Sequence, residues 1–291
     1  MAAGVILHTA PESLFWYWIA ERHAIYLRRQ AGLPKPWTSD PILRDYKFTN
    51  PFRENDRGTV WLRENFLEPH KHDDLGLLAF NICWYRMFNW TGTGAYLGWQ
   101  TGWDEQDIIT RLGHRLTLGE QVFTGAHIVR SAFGQPKIDS IVRVCGDLYH
   151  MCVAAGALVT CCREEKSLET VFKGLMQVQY VGPFMAYEMV TDMRHTELLG
   201  DASDIMTWAN PGPGAMRGLQ RLQMPPTVDS MRLLLANGEE KLWAQIPEPF
   251  LSAEYPLLEM RDIEHSLCEF DKWCRVKFGE GKPRGRYNGA A

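Results

Sequence analysis

The stretch LMQVQYVGPFMAYEMVTDM, Leu175–Met193, decides how the chain is read. Upstream of it Ser167 can cap a helix in which Leu168, Val171, Phe172 and Leu175 fall at i, i+3, i+4 and i+7, the spacing of one helical face. Downstream, Pro183 stands at a first helical position, where a missing N–H costs least, and Ala186, Met189, Val190 and Met193 repeat the same spacing. Tyr180-Val181-Gly182-Pro183 joins the two, so the segment reads helix, tight turn, helix. Such a turn is either an ordinary connection or one whose backbone N–H groups face a phosphate. In the second case Gly182 removes a side chain at the point of approach, and the following helix offers its positive N-terminal end. Tyr180, Val181, Gly182 and Phe184 would line that contact, which positions DNA and reads no bases.

The rest of the chain sets limits on this reading. Its 291 residues suit one large domain or two small ones. With 45% hydrophobic residues, 11 Trp and 13 Phe, it can bury a sizeable core. No stretch approaches 18 uncharged apolar residues, so no membrane span is expected, and the N-terminal segment lacks the basic start and cleavage site of a signal peptide. Seven cysteines fit neither a disulfide framework nor a zinc ribbon and read as free thiols. A net charge of −4 excludes a generally basic nucleic-acid binder, so any DNA contact must use local patches. Two candidates are Arg22, Arg28, Arg29 and Lys35 near the N-terminus, and Arg275, Lys277, Lys282, Arg284 and Arg286 in a basic tail at 275–291. The alternative for each is a solvated face or a loose terminus.

Periodicity predicts a mainly α fold. Helices are expected at 12–30, after Asp40-Pro41, at 53–67, 73–90, 104–115, 139–163 and 256–277, with a Gly-rich loop region over 89–105 and a β-pair or loop over 124–138. Past the hairpin, GDASDIMTWANPGPGAMRGL places Asp201 and Asp204 about 20 residues beyond the turn glycine. DNA glycosylases of the helix–hairpin–helix superfamily keep a catalytic aspartate at a similar distance, at the start of the next helix. SDIM resembles that position, making Asp204 the first candidate and Asp201 the second; either could simply cap a helix. Asn210–Gly218 departs from the glycosylase pattern. Gly212 and Gly214 with Arg217 form either an anion cradle at a helix start or a rigid turn.

The order and spacing of ERHAIY (21–26), PWTSDPIL (36–43), FTNPFRENDRGTVWL (48–62), YRMFNW (85–90), GPGAMRG (212–218) and RDIEHSLCEFDKW (261–273) carry a further resemblance. Together they resemble the α-glutamyl/putrescinyl thymine pyrophosphorylase family, also described as the helical domain of 5-hydroxymethyl-deoxyuridine DNA kinases, over about residues 12–286. The resemblance implies a helix–hairpin–helix DNA glycosylase-like fold of two helical lobes, roughly 100–225 and 12–100 with 226–286, with the active site between them. It also implies phages that hypermodify thymine, action in the cytoplasm of the infected host bacterium, and other phage modification enzymes as partners. No P-loop GxxxxGK[ST] occurs, so a stand-alone transferase without a fused kinase is expected.

The implied substrate is DNA containing a 5-(pyro)phosphomethyl-uracil, whose phosphate is replaced by the amine of a free amino acid or polyamine. No cofactor is needed. Such a site must extrude the base, hold the leaving phosphates and activate an amine. Arg53, Arg57, Arg86 and Arg217 are candidate phosphate ligands; Asp56, Asp204 and Glu21 are candidate bases or ammonium ligands. Asn50 and Asn89 suit the uracil edge, and His23 suits proton transfer near neutral pH. Each has an alternative as a surface or buried structural contact. Cys83 is either a nucleophile for C6 of the ring or a buried helix cysteine, and His70, His72 and Asp73 are either metal ligands or a solvated loop. Two alternative functions remain open at this point: a glycosylase or lyase using the same Asp204, and a non-catalytic DNA-binding module that recruits modification enzymes.

Overall fold

Residues 10–125, 129–245, 257–283 and 285–287 are described by a computed structural model. Among them the chain is helical, with no named strand and one isolated bridge between Tyr46 and Arg286. The β-pair considered for 124–138 is not formed in the described part of that segment. Two compact units result: Met1–Asp56 with Met206–Ala291, and Arg57–Ile205. These divisions fall at 56/57 and 205/206, where the sequence suggested boundaries near 100 and 225.

The first unit is built on two long helices. Helix α1 (Pro11–Gln30) starts with a proline at its first position and buries Phe15, Trp16, Trp18 and Ile19. Asp40 caps the short α2 (Pro41–Asp45), as its sequence suggests, accepting from the Ile42 and Leu43 amides at 2.8 and 3.0 Å. The C-terminal helix of the chain, Met260–Lys277, buries Ile263, Leu267, Phe270 and Trp273, and the Phe15 and Phe270 rings meet edge-on at 5.4 Å. Against it lies the helix Pro213–Arg221. A Cβ on Gly214 would stand 2.3 Å from Cys268 Sγ, and one on Gly218 would stand 2.4 Å from the Leu267 carbonyl oxygen. Two glycines four residues apart thus let these helices approach as no larger residue would.

The second unit surrounds the helix Leu75–Phe88, in which every residue from Leu78 to Phe88 is buried. Its Asn81 is fully buried with all its polar capacity used: Nδ2 donates to the Leu77 and Gln100 carbonyls at 2.9 and 2.8 Å, and Oδ1 accepts from Trp84 Nε1 and the Gln100 amide at 2.7 and 2.8 Å. The segment Arg57–Leu67 begins as α-helix and passes into a π turn. Thr91–Leu97 is helical where its glycines suggested loop. Gly94 explains this, since its missing Cβ would lie 2.4 Å from the Trp61 ring, so the helix is held by packing rather than by propensity. The long helix expected at 139–163 is two, Lys137–Tyr149 with a π turn through Ala154, and Ala157–Glu165, broken where Gly156 takes a left-handed φ of +64°. Among the described residues no single helix is long and apolar enough to cross a membrane.

The hairpin forms as read. Ser167 accepts from the Thr170 amide at 3.2 Å to cap Leu168–Leu175, and Pro183–Met193 follows a turn at 176–182. The left-handed position in that turn is Tyr180, with φ +68°, while Gly182 is extended.

Candidate functional site

In the first unit, the loop 48–56 lies against one stripe of the helix Met260–Lys277. Asp262, His265 and Glu269 recur along that helix at a period near its own turn and all meet the loop. Asp262 Oδ1 accepts from the Arg53 amide at 3.0 Å, and Glu269 Oε2 accepts from the Thr49 amide at 3.1 Å. His265 lies between them, with Nδ1 3.1 Å from Arg53 Nη1 and Nε2 2.5 Å from Thr49 Oγ1. Asp56 Oδ1 accepts from the Asn50 amide at 3.0 Å, while its Oδ2 stands 3.7 Å from His265 Nε2 and 3.9 Å from Arg53 Nε. Arg22 fixes the start of the loop through two bonds to the Phe48 carbonyl, at 3.0 and 3.2 Å. Burial raises the Asp262 carboxyl to about 6 against the opposing pull of Arg261 and the Arg53 amide. Arg53 is buried, but the His265 and Asp56 side chains keep 15% and 20% exposure, so solvent reaches this side of the cluster.

The structure thus brings Asn50, Arg53 and Asp56 together. Asn50 is buried and donates through Nδ2 to the Asn55 carbonyl at 2.6 Å, which leaves its Oδ1 enclosed without a hydrogen bond. Thr49, Asp262 and His265 were missed as site residues, although both segments were singled out. The usable signal was the spacing of Asp262, His265 and Glu269, which puts three polar groups on one stripe of the helix.

Other candidates are placed differently. Glu21 pairs with Arg28 at 3.0 Å. His23 is buried beside Phe52 and Tyr26; burial, aided by Arg22, lowers it to about 4, so it is uncharged at neutral pH rather than poised to titrate there. The proposed cradle at 212–214 is already used by the protein. The Gly212 amide donates to Glu264 Oε1 at 3.2 Å, and Gly214 is buried against Cys268. Arg217 donates to Asp271 at 2.9 Å but keeps 49% exposure. Of the basic patches, Arg22 and Arg28 are engaged as above, and Lys35 lies 5.0 Å over the Trp37 ring. In the tail, Arg275 belongs to the final helix and Arg286 to the bridge with Tyr46, while Arg284 lies outside the described residues.

In the second unit, Arg86 is buried and grips Asp192 in a fork through Nε and Nη2, with Glu188 at 3.5 Å, Asn89 Oδ1 at 3.0 Å and Thr59 Oγ1 at 3.2 Å. An arginine so enclosed serves packing first. Asn89 ends its helix in the left-handed conformation. Arg57, in contrast, is exposed and has no side-chain partner. Asp204 does not open a helix, because 203–207 is a turn and the next helix begins at Pro213. Its carboxylate instead caps the first hairpin helix, accepting from Ser167 Oγ at 2.8 Å and from the Leu168 and Glu169 amides at 2.7 and 3.0 Å. Asp201 pairs with Lys166 at the surface. At the hairpin tip Tyr180 and Phe184 are exposed, and a Cβ on Gly182 would meet nothing within 4 Å, so the turn is open to a partner. Cys83 is fully buried, with its thiol pushed well above the usual range by desolvation. No cluster among the described residues could hold a metal ion, His70 and Asp73 pairing with each other instead.

A helical chain with a polar cluster on its last long helix and an open hairpin is the class of protein these units define. The family described as the helical domain of 5-hmdU DNA kinase matches residues 10–283, and the chain belongs to that family. It is also similar to the 5-hmdU DNA kinase of Bacillus phage SP10, 27% identical over 226 residues, which cover 69% of this chain and 34% of the relative. The chain thus spans about a third of the length of that curated relative. No solved structure matches.

Proposed function

We propose that this protein modifies phage DNA by replacing the phosphate or pyrophosphate of a 5-(pyro)phosphomethyl-deoxyuridine with the amine of an amino acid or polyamine, as a member of the α-glutamyl/putrescinyl thymine pyrophosphorylase group with a helix–hairpin–helix glycosylase-like fold. The observation that carries this reading is the match to the helical part of a kinase acting on 5-hmdU DNA across nearly the whole chain.

In the substitution, the bond from the 5-methylene carbon to the phosphate oxygen breaks and its electron pair leaves with the phosphate. The amine lone pair forms the new C–N bond, and the released proton passes to a carboxylate and on to water. Asp56 is the best-supported acceptor, a carboxylate 20% exposed beside Arg53 and His265. Arg57 is the best-supported phosphate ligand, since its guanidinium is not committed elsewhere. The hairpin would hold the duplex backbone through its main-chain amides. In the test, duplex DNA carrying the phosphorylated base is mixed with the protein with and without an amine pool. Phosphate or pyrophosphate should be released in step with amine consumption, and Asp56→Asn should slow release by about 10²-fold. Release that ignores the amine would sink the reading.

A further inference from the structure

Thr49 and His265 look at first like a nucleophile beside its base, but the hydrogen bonds give the opposite polarity. Arginine only donates, so Arg53 Nη1 at 3.1 Å requires His265 Nδ1 to be the accepting nitrogen. The proton of the neutral ring is therefore on Nε2, the nitrogen that faces Thr49 Oγ1. That N–H donates to the threonine oxygen and cannot take its proton. A carboxylate behind Nδ1 would favour the other tautomer, but Asp56 stands on the Nε2 side. With a lone pair occupied by the imidazole, the Thr49 hydroxyl hydrogen is the group left to be given away.

The loop is fixed around that hydroxyl. Glu269 holds the Thr49 amide, Arg22 holds the Phe48 carbonyl and Asp56 holds the Asn50 amide. The cations around it are Arg22, Arg53 and Lys272, set against the Asp56 and Glu269 carboxylates. Arg22 spends Nε and Nη2 on Phe48 and makes no hydrogen bond through Nη1, while Glu269 is neutralised by Lys272 at 2.6 Å. We propose that Thr49 is a substrate-contacting donor to a phosphoryl oxygen, and that His265, held in one tautomer by Arg53, is the residue that positions it. This rests on reading the substrate as a phosphorylated base in DNA.

Inorganic pyrophosphate is the probe, with binding to the full chain measured by calorimetry and the His265 tautomer by ¹⁵N NMR. The wild type should show protonated Nε2 and unprotonated Nδ1. Thr49→Val, which keeps shape and loses the hydroxyl, should weaken pyrophosphate binding by about tenfold or more, the scale of a hydrogen bond to a charged group. Thr49→Ser should stay within about twofold of wild type on the same scale. His265→Phe should match the loss in Thr49→Val, and His265→Gln, whose amide nitrogen falls near the Nε2 position, should recover most of it. No binding by the wild type, equal binding by Thr49→Val, or a protonated Nδ1 would overturn the proposal. If Thr49→Val binds weakly as expected but the wild type never joins an amine to DNA, the role of Thr49 stands and the transferase reading fails. If transfer is normal in Thr49→Val and pyrophosphate binds as before, the reading stands and the role of Thr49 fails.

Discussion

Asp204 shows how one carboxylate can look catalytic in sequence and structural in place. Two of its hydrogen bonds go to amides of the Leu168–Leu175 helix and a third to the cap residue Ser167. Asp204→Asn should therefore lower stability by about 1 kcal/mol, as the loss of a charged cap does. It should leave the rate of amine transfer within about threefold of wild type, well short of the 10²-fold or greater loss expected for a positioned acid–base group. Denaturant melts and initial rates check both parts; a 10²-fold slower but equally stable variant would return Asp204 to the chemistry. His23 carries a different residue-scale consequence. Its folded value near 4 lies below the ordinary 6.5, so the unfolded chain binds the proton more readily. The stabilisation from keeping the ring neutral is whole above about 6.5 and is lost as pH falls toward 4, at most about 3 kcal/mol. Asp262, raised to about 6, acts with the opposite sign over much of the same window, so the test is a difference. His23→Phe should lose less stability than wild type between pH 7 and 4.5, by about 2 kcal/mol. Parallel pH–stability curves for the two would contradict the burial argument.

At the scale of elements, the hairpin was the most legible part of the chain. Its cap, its proline at N1 and its two apolar faces are all local signals, and each appears where the spacing put it. What was not legible came from tertiary contacts. The helix at Thr91–Leu97 exists because Trp61 covers Gly94, and the glycines at 214 and 218 serve close helix packing rather than anion binding. His265 was hidden for the same reason, since its meaning depends on a loop more than 200 residues away. The open hairpin yields a prediction. Gly182→Glu has room for its side chain and adds a negative charge beside the first turn of Pro183–Met193. It should leave the melting temperature nearly unchanged while weakening binding to all DNA sequences alike, with the largest loss at low salt. Unchanged affinity in a salt titration would remove the hairpin from the DNA contact.

At the scale of the whole molecule, each unit carries its own share of the proposed chemistry. Arg57–Ile205 has the hairpin and Arg57; the discontinuous unit has the Thr49–Arg53–Asp56–His265 cluster. The break between them falls between Asp56 and Arg57, at the end of the FTNPFREND segment. The composition was informative at this scale as well. A net charge of −4 fits a protein whose guanidiniums are matched by carboxylates, the buried Arg86 by Asp192 and Glu188, and the half-exposed Arg217 by Asp271. The central claim is the substitution of an amine for phosphate on an intact nucleoside. Its most direct test is mass spectrometry of the nucleosides from DNA bearing 5-(pyro)phosphomethyl-uracil after incubation with the protein and a pool of amino acids and polyamines. The account predicts a deoxyuridine carrying one of those amines on its 5-methylene carbon, with the glycosidic bond intact. Abasic sites with released base, or phosphorylated nucleoside recovered unchanged, would contradict it.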